Sequence, residues 1–112
     1  MPQDPVVRQP FVRVADLSEI RPGSSKLVVG PFDKPMALFN VDGEISAINA
    51  VCPHRGGPLA EGTLTGSVVS CPWHGWSFDV RTGRPDHPGG HSVAAYQVRV
   101  EGGAVYVAWL KR

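Results

Sequence analysis

The amino-acid sequence predicts an all-β protein. Short apolar runs separated by turn residues fill nearly the whole chain, and three two-residue turn signals, Asp42-Gly43, Thr65-Gly66 and Gly102-Gly103, each lie between two such runs. A chain of 112 residues then makes one domain, 1–112, with one core.

Taken in order, Phe11-Val12-Arg13-Val14 alternates and opens the sheet, and Asp16 to Ile20 forms one helical turn ended by Pro22-Gly23. Lys26 to Val29 is a second strand. Met36 to Val41 and Glu44 to Val51 make a hairpin around Asp42-Gly43 that delivers the chain to Cys52. Thr63-Leu64 and Ser67 to Ser70 form a smaller hairpin around Thr65-Gly66, which brings the chain back to Cys71. Trp76 to Val80 alternates and turns at Thr82-Gly83, Arg84 to Gly90 is a Pro/Gly loop, and Val93 to Val100 with Ala104 to Trp109 is a closing hairpin whose apolar residues belong to the core. Internal repeats are absent, and no linker marks a second domain.

The formal charge of +1, from eleven basic and ten acidic residues spread along the chain, argues against nucleic acid or an anionic membrane as partner. Met1-Pro2-Gln3-Asp4-Pro5 lacks the charged and apolar regions of a secretion signal, and no run approaches the roughly eighteen apolar residues of a membrane span. A cytoplasmic location is the expectation.

Chemistry concentrates in one stretch: Cys52-Pro53-His54, sixteen residues, then Cys71-Pro72-Trp73-His74. These are the only two cysteines and two of the four histidines, arranged as two short pairs, each of which soon meets glycine. Two thiolates and two imidazoles satisfy either a tetrahedral zinc or one 2Fe-2S cluster with histidines on one iron. Mixed zinc sites usually pair Cys with Cys and His with His, whereas each arm here carries one of each, which suits a cluster. Gly56, Gly57 and Gly75 let backbone N–H groups approach bridging sulfides, and Pro53, Pro58 and Pro72 stiffen the loops. A Cys52–Cys71 disulfide is the simplest alternative, but it leaves His54 and His74 without a purpose.

At these residues the sequence resembles the Rieske family, whose pattern is Cys-x-His, a spacer of similar length and Cys-x-x-His. The resemblance continues through Arg55-Gly56-Gly57-Pro58-Leu59 and Gly75-Trp76-Ser77-Phe78-Asp79. It implies the Rieske fold: antiparallel sheets forming a sandwich-like base, with a small two-loop cluster-binding subdomain whose arms are about 52–58 and 71–78. It implies one 2Fe-2S cluster bound by Cys52, His54, Cys71 and His74, with both cysteines on one iron and both histidines, nearest solvent, on the other. No residue is then catalytic. The expected function is that of a monomeric ferredoxin carrying single electrons from a flavin-containing ferredoxin reductase to a terminal ring-hydroxylating oxygenase of aromatic catabolism. Small subunits of assimilatory nitrite reductases share this motif and stand as the second reading, with a structural zinc module as the third.

Charge counting explains the histidines. Two ferric ions, two sulfides and two thiolates sum to zero, so an added electron meets less repulsion than in a four-cysteine cluster, and potentials rise to about −150 to +300 mV. High-potential members of the family carry a bracing disulfide where this chain has Gly57 and Trp73. They also carry a serine and a tyrosine, donors to the cluster sulfurs, where it has Trp76 and Phe78. Their absence points to the low end of the range.

Asp86, His87 and His91 match the ligand set of a mononuclear non-haem iron, but a chain this short that already holds a cluster has little room for a substrate pocket. A proline-bearing loop that covers the cluster fits them better. Trp73 and Trp76 read as apolar cover, Trp109, Phe39 and Tyr106 as core, and Arg55 as the charge for partner recognition. Replacing His87 and His91 together with alanine is expected to leave iron content unchanged by metal analysis; loss of iron would restore the mononuclear site.

Overall fold

The computed structural model describes residues 11–29, 35–52, 58–72, 76–86 and 91–110, with side chains through residue 108. Among these residues nine strands follow in order: β1 (Val12–Asp16), β2 (Ser25–Val29), β3 (Pro35–Val41), β4 (Glu44–Asn49), β5 (Thr63–Thr65), β6 (Val68–Ser70), β7 (Ser77–Asp79), β8 (Ala95–Glu101) and β9 (Ala104–Leu110). Two 3₁₀ turns, Leu17–Glu19 and Leu59–Glu61, complete the described elements. None of these is long and apolar enough to cross a membrane as a helix.

Every described strand pairing is antiparallel. One sheet has the order β1-β9-β8-β4-β3-β2, and a smaller one the order β5-β6-β7. The first and third expected hairpins form on Asp42-Gly43 and Gly102-Gly103, each with positive φ at both central residues, as such tight turns require. The middle one is displaced by a residue from its expected place. Thr65 pairs with Val68, so the turn is Gly66-Ser67. Gly66, at φ +61, takes the first central position, where a two-residue turn with one left-handed residue needs glycine.

Strand β4 also ends earlier than expected. The Asn49 carboxamide oxygen accepts the Val51 N–H at 2.9 Å, and this local bond turns the chain out of the ladder just before Cys52. The Leu59–Glu61 turn was not foreseen. Pro58 before it and Gly62 after it are the signals that mark it.

Period-two alternation lets the large sheet serve two cores. Ala37, Phe39 and Val41 of β3, Ile48 of β4 and Ala95 of β8 face one cluster, which the small sheet completes with Val69 and Phe78. Met36 and Leu38 of β3, Ile45 and Ala47 of β4, and Tyr96 of β8 face the other, closed by Val105 and Val107 of β9. Phe39 and Phe78 are fully buried, each contributing about 1.5–3 kcal/mol by leaving water. Asn40 is the buried polar exception with both functions engaged. Its amide donates to the Ile20 carbonyl and its oxygen accepts the Gly43 N–H, each at 2.7 Å, tying the segment after β1 to the β3–β4 turn. Two expected core positions differ: Tyr106 is only half-buried, and Val100 is exposed near the open end of β8. Trp109 lies outside the described side chains.

Tyr96 is 1% exposed, and burial raises its phenol above the ordinary 10.0. The neutral phenol is therefore favoured in the folded chain. Its stabilisation is complete below pH 10 and falls as pH rises toward the higher folded value, because the unfolded chain releases the proton first. Denaturant titrations above pH 10 are expected to show this loss in the wild type and a smaller one in Tyr96→Phe; equal slopes would refute the assignment.

Candidate metal centre

The two arms start from the ends of strands. Cys52 follows β4 by way of Val51, which bridges to Pro58, so the first arm leaves and returns at one place. The returning chain is fixed there by the Leu59 N–H, which donates to the Ala50 carbonyl at 2.8 Å. Cys71 directly follows β6. Its N–H donates to the Trp76 carbonyl at 2.6 Å, which closes the second arm just before β7.

Both cysteines sit in the same buried cluster, Cys52 1% and Cys71 3% exposed, among Leu59, Val69, Phe78 and Val80. No disulfide joins them, which removes the simplest alternative. Their neighbours Val51 and Pro72 are exposed. The thiols are thus dry and yet only one residue from the surface.

Trp76 is half-buried and packs on this cluster, with its ring centroid 6.4 Å from that of Phe78, consistent with apolar cover. Between them on the strand, the Ser77 hydroxyl lies 3.2 Å from the Ser70 hydroxyl, on the opposite side of β7.

The start of the Pro/Gly loop is fastened to β7, and the chain after it to Gly83. Pro85 bridges to Phe78, the Asp86 N–H donates to Ser77 and the Asp79 N–H to Arg84; the Val93 N–H reaches the Gly83 carbonyl, all three bonds at 2.8 Å. Val93 itself belongs to the cysteine cluster. Gly83 makes this possible: at φ +79, an added Cβ would collide with the Val93 carbonyl oxygen.

Of the four expected ligands, Cys52 and Cys71 belong to one buried cluster, while His54 and His74 lie outside the described residues, as do Arg55, Gly57, Trp73 and His87. Asp86 and His91 are both exposed, and among the described residues no group of three or more His, Cys, Asp or Glu gathers to hold a metal ion. Sequence reasoning did not anticipate the contribution of Gly62 and Gly83, whose signal is steric and visible only in three dimensions.

Fold and site together define a class: an all-β protein with two buried thiols on two separate arms, one leaving the larger sheet after β4 and one leaving the smaller sheet after β6. The Rieske [2Fe-2S] domain model matches residues 10–97, and the chain belongs to that family. It is similar to ferredoxin CarAc of Metapseudomonas resinovorans, 35% identical over 107 residues covering 95% of this chain and 100% of that one. It is also similar to the biphenyl dioxygenase ferredoxin subunit of Pseudomonas sp. strain KKS102, 37% identical over 99 residues, 87% of this chain and 90% of the relative. Among solved structures, a chain of the complex of reduced oxygenase and oxidised ferredoxin in carbazole 1,9a-dioxygenase superposes with a TM-score of 0.84 at 35% identity, covering 94% of this chain and 98% of that one.

Family membership decides between zinc and the cluster: the cofactor is one Rieske-type 2Fe-2S cluster. The donors present fit it. Two buried thiols not joined by a disulfide belong to one apolar cluster, and a histidine follows each within three residues.

Phe78 lies in the cluster that holds both cysteines and Trp76 packs against it, and these are the positions where the resemblance places the family's hydroxyl donors. A net hydrogen bond to a charged group contributes about 1.5 kcal/mol, and in a one-electron couple that is about 60 mV. Trp76→Ser and Phe78→Tyr are each expected to raise the reduction potential by about that much in protein-film voltammetry. An unchanged potential in folded, loaded variants would refute the account.

Proposed function

We propose that this chain carries single electrons to a terminal oxygenase, with Cys52 and Cys71 bound to one iron of the cluster and His54 and His74 to the other. The observation that supports this most directly is the shared burial of Cys52 and Cys71 at the ends of two arms of a Rieske domain. When bound, a cluster of this type supplies a one-electron couple.

The chain's own residues determine how that couple is housed. Leu59, Val69, Phe78 and Val80 keep water from the thiols, which protects the site and disfavours extra negative charge. The Cys71–Trp76 backbone bond and the Leu59–Ala50 bond anchor the chain where the second arm closes and the first returns. Exposed Val51 and Pro72 give the site an apolar rim on which a partner can seat without desolvating charge. The chemistry on an organic substrate belongs to the partner, as the likeness to ferredoxin components of oxygenase systems supports.

Likeness to a chain from an oxygenase–ferredoxin complex and to a biphenyl dioxygenase ferredoxin subunit supports an oxygenase as the electron acceptor. The donor is proposed to be a flavin-containing ferredoxin reductase, and the setting cytoplasmic. Arg55, next to His54 in sequence, is proposed to contribute a charge to docking.

Stopped-flow mixing of the reduced, loaded protein with a ring-hydroxylating oxygenase tests the reading. Oxidation of this chain with matching reduction of the oxygenase is expected, and Arg55→Glu is expected to slow it about tenfold at low salt without moving the potential. Failure to reduce any such oxygenase, while a nitrite reductase partner is reduced, would overturn the acceptor; an unchanged rate in Arg55→Glu would remove that residue from docking.

A further inference from the structure

We infer that Gly62 is a positioning residue for the cluster: it is the point where the chain returning from the first arm meets the strand that leads into the second, and its missing side chain sets how closely Cys52 and Cys71 are held. The inference rests on the cysteine ligation proposed above and is independent of which protein receives the electron.

Gly62 is not a turn glycine. Its φ is −76 and its ψ 175, extended backbone open to any residue, so conformational freedom does not explain it. Space does. A Cβ built on Gly62 would lie far inside contact distance of the Ser70 carbonyl oxygen, 3.1 Å from the Ser70 carbonyl carbon and 3.0 Å from Val69 Cγ2. Two backbones meet here with no room between them.

Their place in the chain gives the contact its meaning. The β5–β6 register pairs Thr63 with Ser70, so extending it one step sets Gly62 opposite Cys71. On the other side, the Gly62 N–H donates to the Leu59 carbonyl at 3.0 Å, and the Leu59 N–H donates to Ala50, two residues before Cys52. A path of backbone contacts therefore runs from Ala50 through Leu59 and Gly62 to Ser70, joining the roots of the two thiols.

The 3₁₀ turn cannot retreat to admit a side chain. It is held toward Ala50 by the Leu59 bond and toward β2 by the Ser25 hydroxyl, which donates to the Ala60 carbonyl at 2.6 Å. The other party to the clash is the backbone of β6, paired on its far side with β7. A methyl group at position 62 must then push Ser70 and Cys71 away from the first arm, or break the Leu59–Ala50 bond that roots it. Either change alters the spacing of the thiols.

The test compares Gly62→Ala with Gly43→Ala. Gly43, at φ +96 in the β3–β4 turn with nothing within 4 Å of its added Cβ, is strained by alanine but lies away from the arms. Loss of supporting contacts around metal ligands typically weakens retention by about tenfold or more. Loaded Gly62→Ala is expected to show altered visible circular dichroism and a shifted potential, and to lose iron to a chelator about tenfold faster than wild type, while Gly43→Ala keeps the wild-type spectrum and rate. A wild-type spectrum in Gly62→Ala, or equal loss from Gly43→Ala, would overturn the inference.

Should Gly62→Ala not fold, amide exchange on wild type decides. Gly62 and Leu59 amides gaining protection together with Cys71 on cluster loading supports the role; gain at Cys71 alone overturns it. Wild type that binds no iron and sulfide would overturn the ligation itself, so the two failures remain distinguishable.

Discussion

Two thiols separated by eighteen intervening residues must be carried into one dry cluster, and the rest of the molecule follows from that requirement. A thiolate is costly in apolar surroundings unless a metal takes its charge, so Cys52 and Cys71 can serve there as thiolate ligands only together with a bound cation. Bringing them together needs a short return path. The β5–β6 hairpin provides it, with strands of three residues each and a two-residue turn. Because side chains alternate along a strand, a slip of one residue would turn the wrong face of β6 toward the cluster and misdirect the backbone leading into Cys71. The pairing of Val69 with Phe78, both fully buried, opposes that slip.

A three-stranded sheet of such short strands has too little apolar area to stand alone. Its inner face is completed by Ala37, Phe39 and Ile48 of the larger sheet, so the site's floor is the base of the protein. The larger sheet has its own second core on the far side, closed by β9 and containing no residue of the arms. This division explains why β3 is buried along nearly its whole length: it supplies one core with odd-numbered residues and the other with even-numbered ones. The metal centre is therefore mounted on a sheet whose other face packs in a core of its own.

Much of this was legible in the sequence, for identifiable reasons. Two-residue glycine turns at Asp42-Gly43 and Gly102-Gly103 have nearly unique backbone requirements, and both hairpins formed on them. Thr65-Gly66 misled by one residue because glycine can occupy either central position of such a turn, and only the pairing partner shows which. The β4 boundary was hidden because apolar Ile48, Ala50 and Val51 continue the strand pattern, while the force that ends it is a side-chain bond from Asn49. Tyr106 and Val100 were misplaced for a related reason: alternation says that a residue faces one side of a sheet, but not whether anything covers that side. At the site, the two cysteines were evident from spacing. The role of Gly62 was not, because an extended glycine leaves no mark in a sequence when its only purpose is to let two backbones meet.

An electron carrier faces opposed demands, since tunnelling needs a site near the surface and a low-dielectric site needs cover. Here the compromise is made within single dipeptides. Cys52 is buried beside exposed Val51, and Cys71 beside exposed Pro72, so the chain turns from core to solvent in one residue. Proline suits such a position because it fixes the backbone and presents an apolar surface without a donor that would need water. The cover that lies behind the thiols is aromatic, from Phe78 and Trp76, and the same choice excludes water and withholds hydroxyl donors from the sulfurs. Protection of the site and the low potential expected from the sequence thus rest on the same side chains. A variant selected for a higher potential must place polar groups where the fold now has its driest packing.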